Sequence, residues 1–386
     1  MFTGLLFSAM GVGTFASLSL GIIAVIFIED LGISRAQLGL AFAVNTVGAA
    51  VLSPFVGRLT DRIGGRSSLI VVALASATSF VLLGVASSLL VLLVASTIGA
   101  VAQSNANPAT NKLIAEDLPA GSQGIVTGIK QSGVQAFVFV GGAIVPAMAL
   151  MWGRWSAYML FAVFAVGLAA VAWIFLPRAT ADDGVAWVRD SSRLPSDIWW
   201  ITAYGFLLGF GGSVTVLYAL FTTERLGRSV VVGGAVVAVV GVTAMPARIA
   251  WAHYAERRHA YRLSLIVIAL LAIAGSAALI MSSSSEWWWL VWVAAVLTGI
   301  GPSSWNSVGM LGLIVFAGPS AAGRASGVVL FGFLIGLGAG PPLFGWMVDV
   351  TGDYTGVWIM SLVAFVAGLV TVLLWSPQER SSEAVS

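Results

Sequence analysis

The chain has 386 residues, of which 59% are hydrophobic and only 9% charged, with a net charge of +2 and no cysteine. A soluble domain carries about 25% charged residues to wet its surface, so this composition excludes a soluble globule and requires a surface that faces lipid. Disulfides, thiol nucleophiles and thiolate metal sites are excluded with the cysteines.

The N-terminus has no basic segment or small-residue cleavage site and enters apolar sequence at once, so it reads as a first spanning helix. A bilayer core of about 30 Å takes ~20 apolar residues per helix. Stretches of that kind are predicted at 4–28, 36–57, 67–86, 88–111, 123–149, 156–176, 197–223, 229–251, 263–282, 287–315, 325–348 and 355–376. The expected fold is an all-α membrane protein with twelve transmembrane helices in two pseudo-symmetric six-helix bundles. Residues 1–176 form the first bundle, 177–196 a charged cytosolic linker, and 197–386 the second bundle with a short cytosolic tail. The 287–315 stretch is long enough to be tilted or prolonged into the cytosol.

Lys and Arg fix the expected orientation. With both termini inside, cytosolic segments hold twelve of them, Arg58, Arg62 and Arg66 among them, and the outer loops hold four: Arg35, Arg154, Arg225 and Arg228. Trp287, Trp288 and Trp289 then sit at the outer interface as belt anchors. The predicted location is a cytoplasmic (inner) membrane. A twelve-helix bundle encloses a path by itself, so a monomer is the expected working unit, with lipid and a small solute as its partners and no nucleic acid.

Between the second and third stretches lies a charged hairpin, Gly57-Arg58-Leu59-Thr60-Asp61-Arg62-Ile63-Gly64-Gly65-Arg66. A fainter copy follows 195 positions later, with Glu256 and Arg257 in place of Asp61 and Arg62. The same offset carries Glu29, Leu31, Gly32, Ser34 and Gly39 onto Glu224, Leu226, Gly227, Ser229 and Gly234. Internal repeats in a helical membrane protein point to a transporter with its site between the halves near the midplane.

The hairpin resembles the G-x-L-x-D-R-x-G-R-[RK] loop of the major facilitator superfamily, and twelve spans with a central linker extend the likeness over the whole chain. Gly128–Gly133 and Gly340–Trp346 also resemble that family. The Arg that many proton-coupled members carry in helix 4 is absent near Ala95, and the glycine-proline antiporter signature is only loosely echoed by Gly141, Gly142 and Pro146. The resemblance implies a conformational gate at Gly57, Asp61, Arg62, Arg66, Glu256 and Arg257. In it, Asp61 meets the N-terminus of helix 11 near Arg324, where the helix dipole favours an anion.

Ionisable groups inside a bilayer are costly and usually functional. Two lie clearly within spans, Lys130 in helix 5 and Arg248 in helix 8. They lie about 13 Å and 12 Å from their loops at 1.5 Å per residue. No carboxylate shares their depth, so a substrate anion is the expected partner. Snorkelling of both to the interface is the alternative. Gln103, Asn107 and Asn111 fall on one face of helix 4, Gln131 and Gln135 continue a polar stripe beside Lys130, and Trp305 and Asn306 stand in helix 10. The expected substrate-binding set is Lys130, Arg248, Gln103, Asn107, Gln131, Trp305 and Asn306.

The predicted function is secondary transport of a small organic anion such as a monocarboxylate by alternating access. No G-x-x-x-x-G-K-[ST] loop is present for ATP. A proton is the candidate co-ion, carried on the substrate or at Glu29, Asp30 or Glu224. The competing reading is efflux of lipophilic drugs by proton antiport. An intramembrane enzyme would need a catalytic cluster at membrane depth, and His253, Glu256 and His259 do not have a recognised zinc spacing. No cofactor is expected.

Overall fold

The computed structural model describes residues 1–118, 123–177, 194–283, 287–317 and 322–376. Most of the expected linker and the C-terminal tail lie outside these residues.

Among the described residues, eleven helices are long and apolar enough to cross a membrane. One of them, α3 (Arg35–Val85), runs for 51 residues and supplies two crossings, because it breaks at Gly64 (φ 79°, ψ 163°). That backbone geometry is open only to a residue without a Cβ. The break sits inside the charged hairpin, so the twelve crossings expected from hydropathy are recovered.

The first crossing is split into α1 (Phe2–Ile22) and α2 (Ala24–Leu31). The seventh is split likewise into α7 (Ser196–Gly212), a 3₁₀ turn (Ser213–Leu217) and α8 (Tyr218–Glu224). Four more helices are continuous in sequence reading and in structure: α4 (Leu89–Asp117), α5 (Gln123–Trp152), α6 (Arg154–Phe175) and α9 (Val230–Arg258). They are followed by α10 (Tyr261–Ser282). The expected single helix at 287–315 is two, α11 (Leu290–Ile300) and α12 (Trp305–Ala317). Gly301 (φ −91°, ψ −104°) and Pro302 part them, since Pro lacks the N–H that would continue the ladder. The chain closes with α13 (Ala322–Thr351) and α14 (Thr355–Leu374).

The repeat read at an offset of 195 recurs in the backbone. Gly32 and Gly227 both adopt left-handed conformations, with φ 60° and 64°. Two positions on, Ser34 and Ser229 both cap helices, accepting from Gln37 N and Val232 N. Gly39 abuts Pro341 so closely that an added Cβ would lie 2.4 Å from its carbonyl group, and Gly234 abuts the Pro146 ring at 2.3 Å. Pro146 and Pro341 are themselves 195 apart, so each half presents a glycine to the other half's proline. Gly21 abuts Val216, its own counterpart in the repeat.

Three cross-half contacts organise the molecule: α3 with α13, α5 with α9, and α1 with the 3₁₀ turn. Outward, large apolar side chains such as Val163, Trp173, Ile174 and Leu374 are exposed. Only a lipid surface makes that favourable for a belt this size. Trp288 carries the Arg228 guanidinium over its ring at 3.8 Å.

Candidate functional site

A cavity of about 920 Å³ lies between the halves. Its wall begins at Arg324, in the first turn of α13 on the face that holds the charged hairpin, and continues to Gly21, Val216 and Leu337. Beyond that depth the halves meet through Gly39–Pro341, Gly142–Gly234 and Gly345–Arg35, each a contact in which an added Cβ would fall within 2.5 Å of backbone. The cavity therefore reaches toward the hairpin face and is sealed toward the opposite one.

The sealed end carries an ionic lock. The Arg35 guanidinium donates two bonds to Glu224 (Nη2 2.9 and 2.8 Å), one more through Nε (3.0 Å), and one to Asp349 (3.1 Å). Asp349 also accepts from the backbone N–H groups of Arg35 and Ala36, capping α3 from α13. Tyr354 donates its hydroxyl to Glu224. Burial, and then that bond, push the Tyr354 phenol above its ordinary pKa. This lock was not foreseen: its members are 189 and 314 positions apart, and only the repeat of Glu29 at Glu224 hinted at it. Of the carboxylates suggested for a proton, Glu224 belongs to the lock and Asp30 pairs with Arg154 at 3.7 Å.

Six of the seven expected binding residues line the cavity: Gln103, Asn107, Gln131, Arg248, Trp305 and Asn306. Gln131 donates to Asn107 Oδ1 (2.8 Å), tying α5 to α4, and Gln103 accepts a 3.4 Å bond from Ser17. Trp305 is 1% exposed, packed between Tyr204 and Phe333, and its indole N–H has no acceptor among the described residues.

Among the described residues, Arg248 is held by carbonyls alone. Nε and Nη2 donate to Ser303 O at 3.1 and 3.0 Å, and Nη1 donates to Gln131 O in the other half at 3.2 Å. Ser303 lies in the break between α11 and α12, and the break places its carbonyl within reach of the guanidinium. Among the described residues no carboxylate pairs with Arg248.

Lys130 is placed differently from the expectation. It is fully buried and is not part of the cavity wall; its ammonium donates to Thr110 Oγ1 (2.8 Å) and Asn111 Oδ1 on α4. Successive helical residues point about 100° apart, so Gln131 and Gln135 face the cavity while Lys130 turns into the α4 interface. Asn111 stands between it and the cavity.

The hairpin residues divide. Arg66 donates to the carbonyl of Trp173 and lies over that ring at 4.8 Å, so it anchors the hairpin to α6. Thr60 donates to Asn105 (2.9 Å), which in turn donates to Ser68 O (3.1 Å), bracing the same turn against α4. Asp61 and Arg62 are exposed and have no ion pair or hydrogen bond among the described residues, and Gly57 has open space where a Cβ would stand. Glu256 and Arg257 are exposed as well. The expected contact of Asp61 with the start of α13 is not made in this arrangement.

The chain is similar to the probable nitrate/nitrite transporter NarK2 of Mycobacterium tuberculosis, 29% identical over 92% of this chain and 91% of that one. It is 27% identical to the multidrug resistance protein MdtG of Proteus mirabilis over 57% of this chain and 58% of that one. Its fold matches the crystal structure of a bacterial homolog of the human lysosomal transporter Spinster, in an inward-facing and occupied conformation. That match has a TM-score of 0.74 and 16% identity, and it covers 97% of this chain and 98% of the other. The model of the Major Facilitator Superfamily matches residues 2–329, and the chain belongs to that superfamily of multi-pass membrane transporters.

Proposed function

We propose that this transporter moves a small organic anion, of the monocarboxylate class, across the cytoplasmic membrane by alternating access. The hairpin face and both termini lie in the cytosol, as the Lys and Arg distribution favours. Residues 1–176 and 197–386 are the two rocking bodies, joined by 177–196. In this reading the structure is open to the cytosol, and Asp61 engages the start of α13 only when that face closes.

The observation that carries the substrate class is Arg248, a guanidinium on the wall of a membrane-depth cavity with carbonyl partners and, among the described residues, no carboxylate. Carbonyl dipoles satisfy donors but leave the net charge uncompensated, which an arriving anion corrects. Asn107, Gln131, Gln103, Asn306 and the Trp305 edge complete the contacts, and Lys130 acts through Asn111. The similarity to a nitrate/nitrite transporter is in keeping with anion handling.

The test is uptake into proteoliposomes of small carboxylates, neutral sugars and lipophilic cations by the wild type and Arg248→Gln. A carboxylate is expected to move, and the substitution to lower its apparent affinity roughly 10- to 150-fold, as befits a lost hydrogen bond to a charge. Equal movement of cations or sugars through both proteins would refute the reading and favour drug efflux.

A further inference from the structure

The charged part and the most apolar part of the cavity wall lie at different depths. Arg248, Gln131 and Asn107 stand eight to ten residues from the hairpin-face ends of α9, α5 and α4. Beyond them come the amides of Gln103 and Gln135, and the rest of the inner wall is made by Leu18, Val138, Val216, Val237, Val240 and Leu337. On α9, Val240 and Val237 lie about 12 and 16 Å past Arg248 at 1.5 Å per residue. Among the described residues, no charged side chain lines the cavity beyond Arg248. The hydroxyls there already have partners: Ser17 donates to Thr14 O (3.1 Å) and to Gln103 Oε1 (3.4 Å), and Thr215 donates to Gly212 O (3.0 Å).

A compact hydrophilic anion would pair with Arg248 and leave this inner chamber without a partner. An apolar body there would cover it and gain the transfer free energy of each methylene removed from water. We infer that the transported anion is an amphiphile, with one anionic head at Arg248 and an unbranched or slender apolar body reaching to the Val237–Leu337 level. The inference rests on the anion reading above and narrows it. It separates this chain from carriers of inorganic or polyhydroxy anions, whose substrates offer nothing to a valine-lined chamber. The head need not be a carboxylate, since a sulfonate offers the same charge to a guanidinium fork.

The experiment measures binding of a homologous series to purified protein in nanodiscs, with empty nanodiscs subtracted. The series is acetate, butyrate, hexanoate and octanoate, with octanesulfonate, nitrate, tartrate and octyltrimethylammonium beside them. Binding is expected to tighten about three- to fourfold per added methylene. Octanesulfonate should match octanoate, and octyltrimethylammonium should not bind. Val237→Asn should flatten the dependence on chain length. Equal binding of nitrate, acetate and octanoate, lost in Arg248→Gln, would overturn the amphiphile inference and leave the anion reading standing. Equal binding of octanoate and octyltrimethylammonium, unchanged in Arg248→Gln, would overturn both. Should Arg248→Gln not fold, displacement of labelled octanesulfonate from the wild type by octanoate but not by octanol gives the charge requirement directly. Displacement by both equally counts against it.

Discussion

Arg35 is the place where one substitution should change which face of the protein is open. Its guanidinium holds Glu224 through three bonds and Asp349 through a fourth, joining α3 to α8 and α13 across the halves. The pair with Glu224 is 29% and 25% exposed, so solvent screens it and the full value of a buried charge pair does not apply. Taking about 1 kcal/mol for each arm, within the range for well-aligned, charge-assisted bonds at partial exposure, Arg35→Gln should weaken the seal by about 2 kcal/mol. That is roughly a 30-fold shift in a two-state equilibrium toward the arrangement open at this face. Asp349 still caps α3 through the backbone N–H groups of residues 35 and 36, so the helix start should survive. The chain has no cysteine, so a single introduced thiol reports without background. Val348→Cys places it beside the lock at a position 2% exposed in the sealed state. Its reaction rate with a water-soluble maleimide should rise on the order of 30-fold when Arg35→Gln is added, a factor set by that equilibrium. An unchanged rate in a folded, monodisperse double variant would show that the glycine contacts seal the face without the lock.

Further outcomes are expected. Gly234→Val should hold this same sealed face apart, because its first carbon would fall 2.3 Å from the Pro146 ring; the same thiol assay should show labelling above that of Arg35→Gln. Arg66→Leu removes the bond to Trp173 and the cation–π contact, and should destabilise the protein by about 1–3 kcal/mol, seen as a lower melting temperature with substrate affinity kept. Lys130→Gln keeps a donor for Asn111 and should weaken substrate binding less than Arg248→Gln does; titration of the two variants side by side decides, and an equal or larger loss would place Lys130 in direct contact. Tyr354→Phe removes one bond to Glu224 and should raise labelling of the Val348→Cys thiol about fivefold, for a loss of about 1 kcal/mol.

Much of the architecture was legible because lipid imposes it. Twelve apolar lengths, the charged hairpin and the offset of 195 follow from what a bilayer and a duplicated bundle require. Gly32 and Gly227 share a backbone conformation and Ser34 and Ser229 share a cap, as their positions in the repeat implied. Gln103, Asn107 and Asn111 were recognisable as one wall because i, i+4 spacing keeps them on one face. The same rule, applied to Lys130, separates it from Gln131 and Gln135; polarity alone had grouped the three. The break at Gly301 and Pro302 lay hidden inside an apolar run that hydropathy reads as one helix. The lock of Arg35, Glu224 and Asp349 was out of reach, since no local pattern joins residues so far apart in the chain.

At Gly39–Pro341, Gly142–Gly234 and Gly345–Arg35 the seal is made by main chain lying directly on main chain. A gate built from a side chain can flicker, because exposed rotamers exchange in picoseconds to nanoseconds, whereas collective helix movements take microseconds to milliseconds. Nothing at these three contacts can rotate out of the way. Water and protons should therefore cross the sealed end only as often as whole helices part, which ties leak to the slow clock of the transport cycle itself.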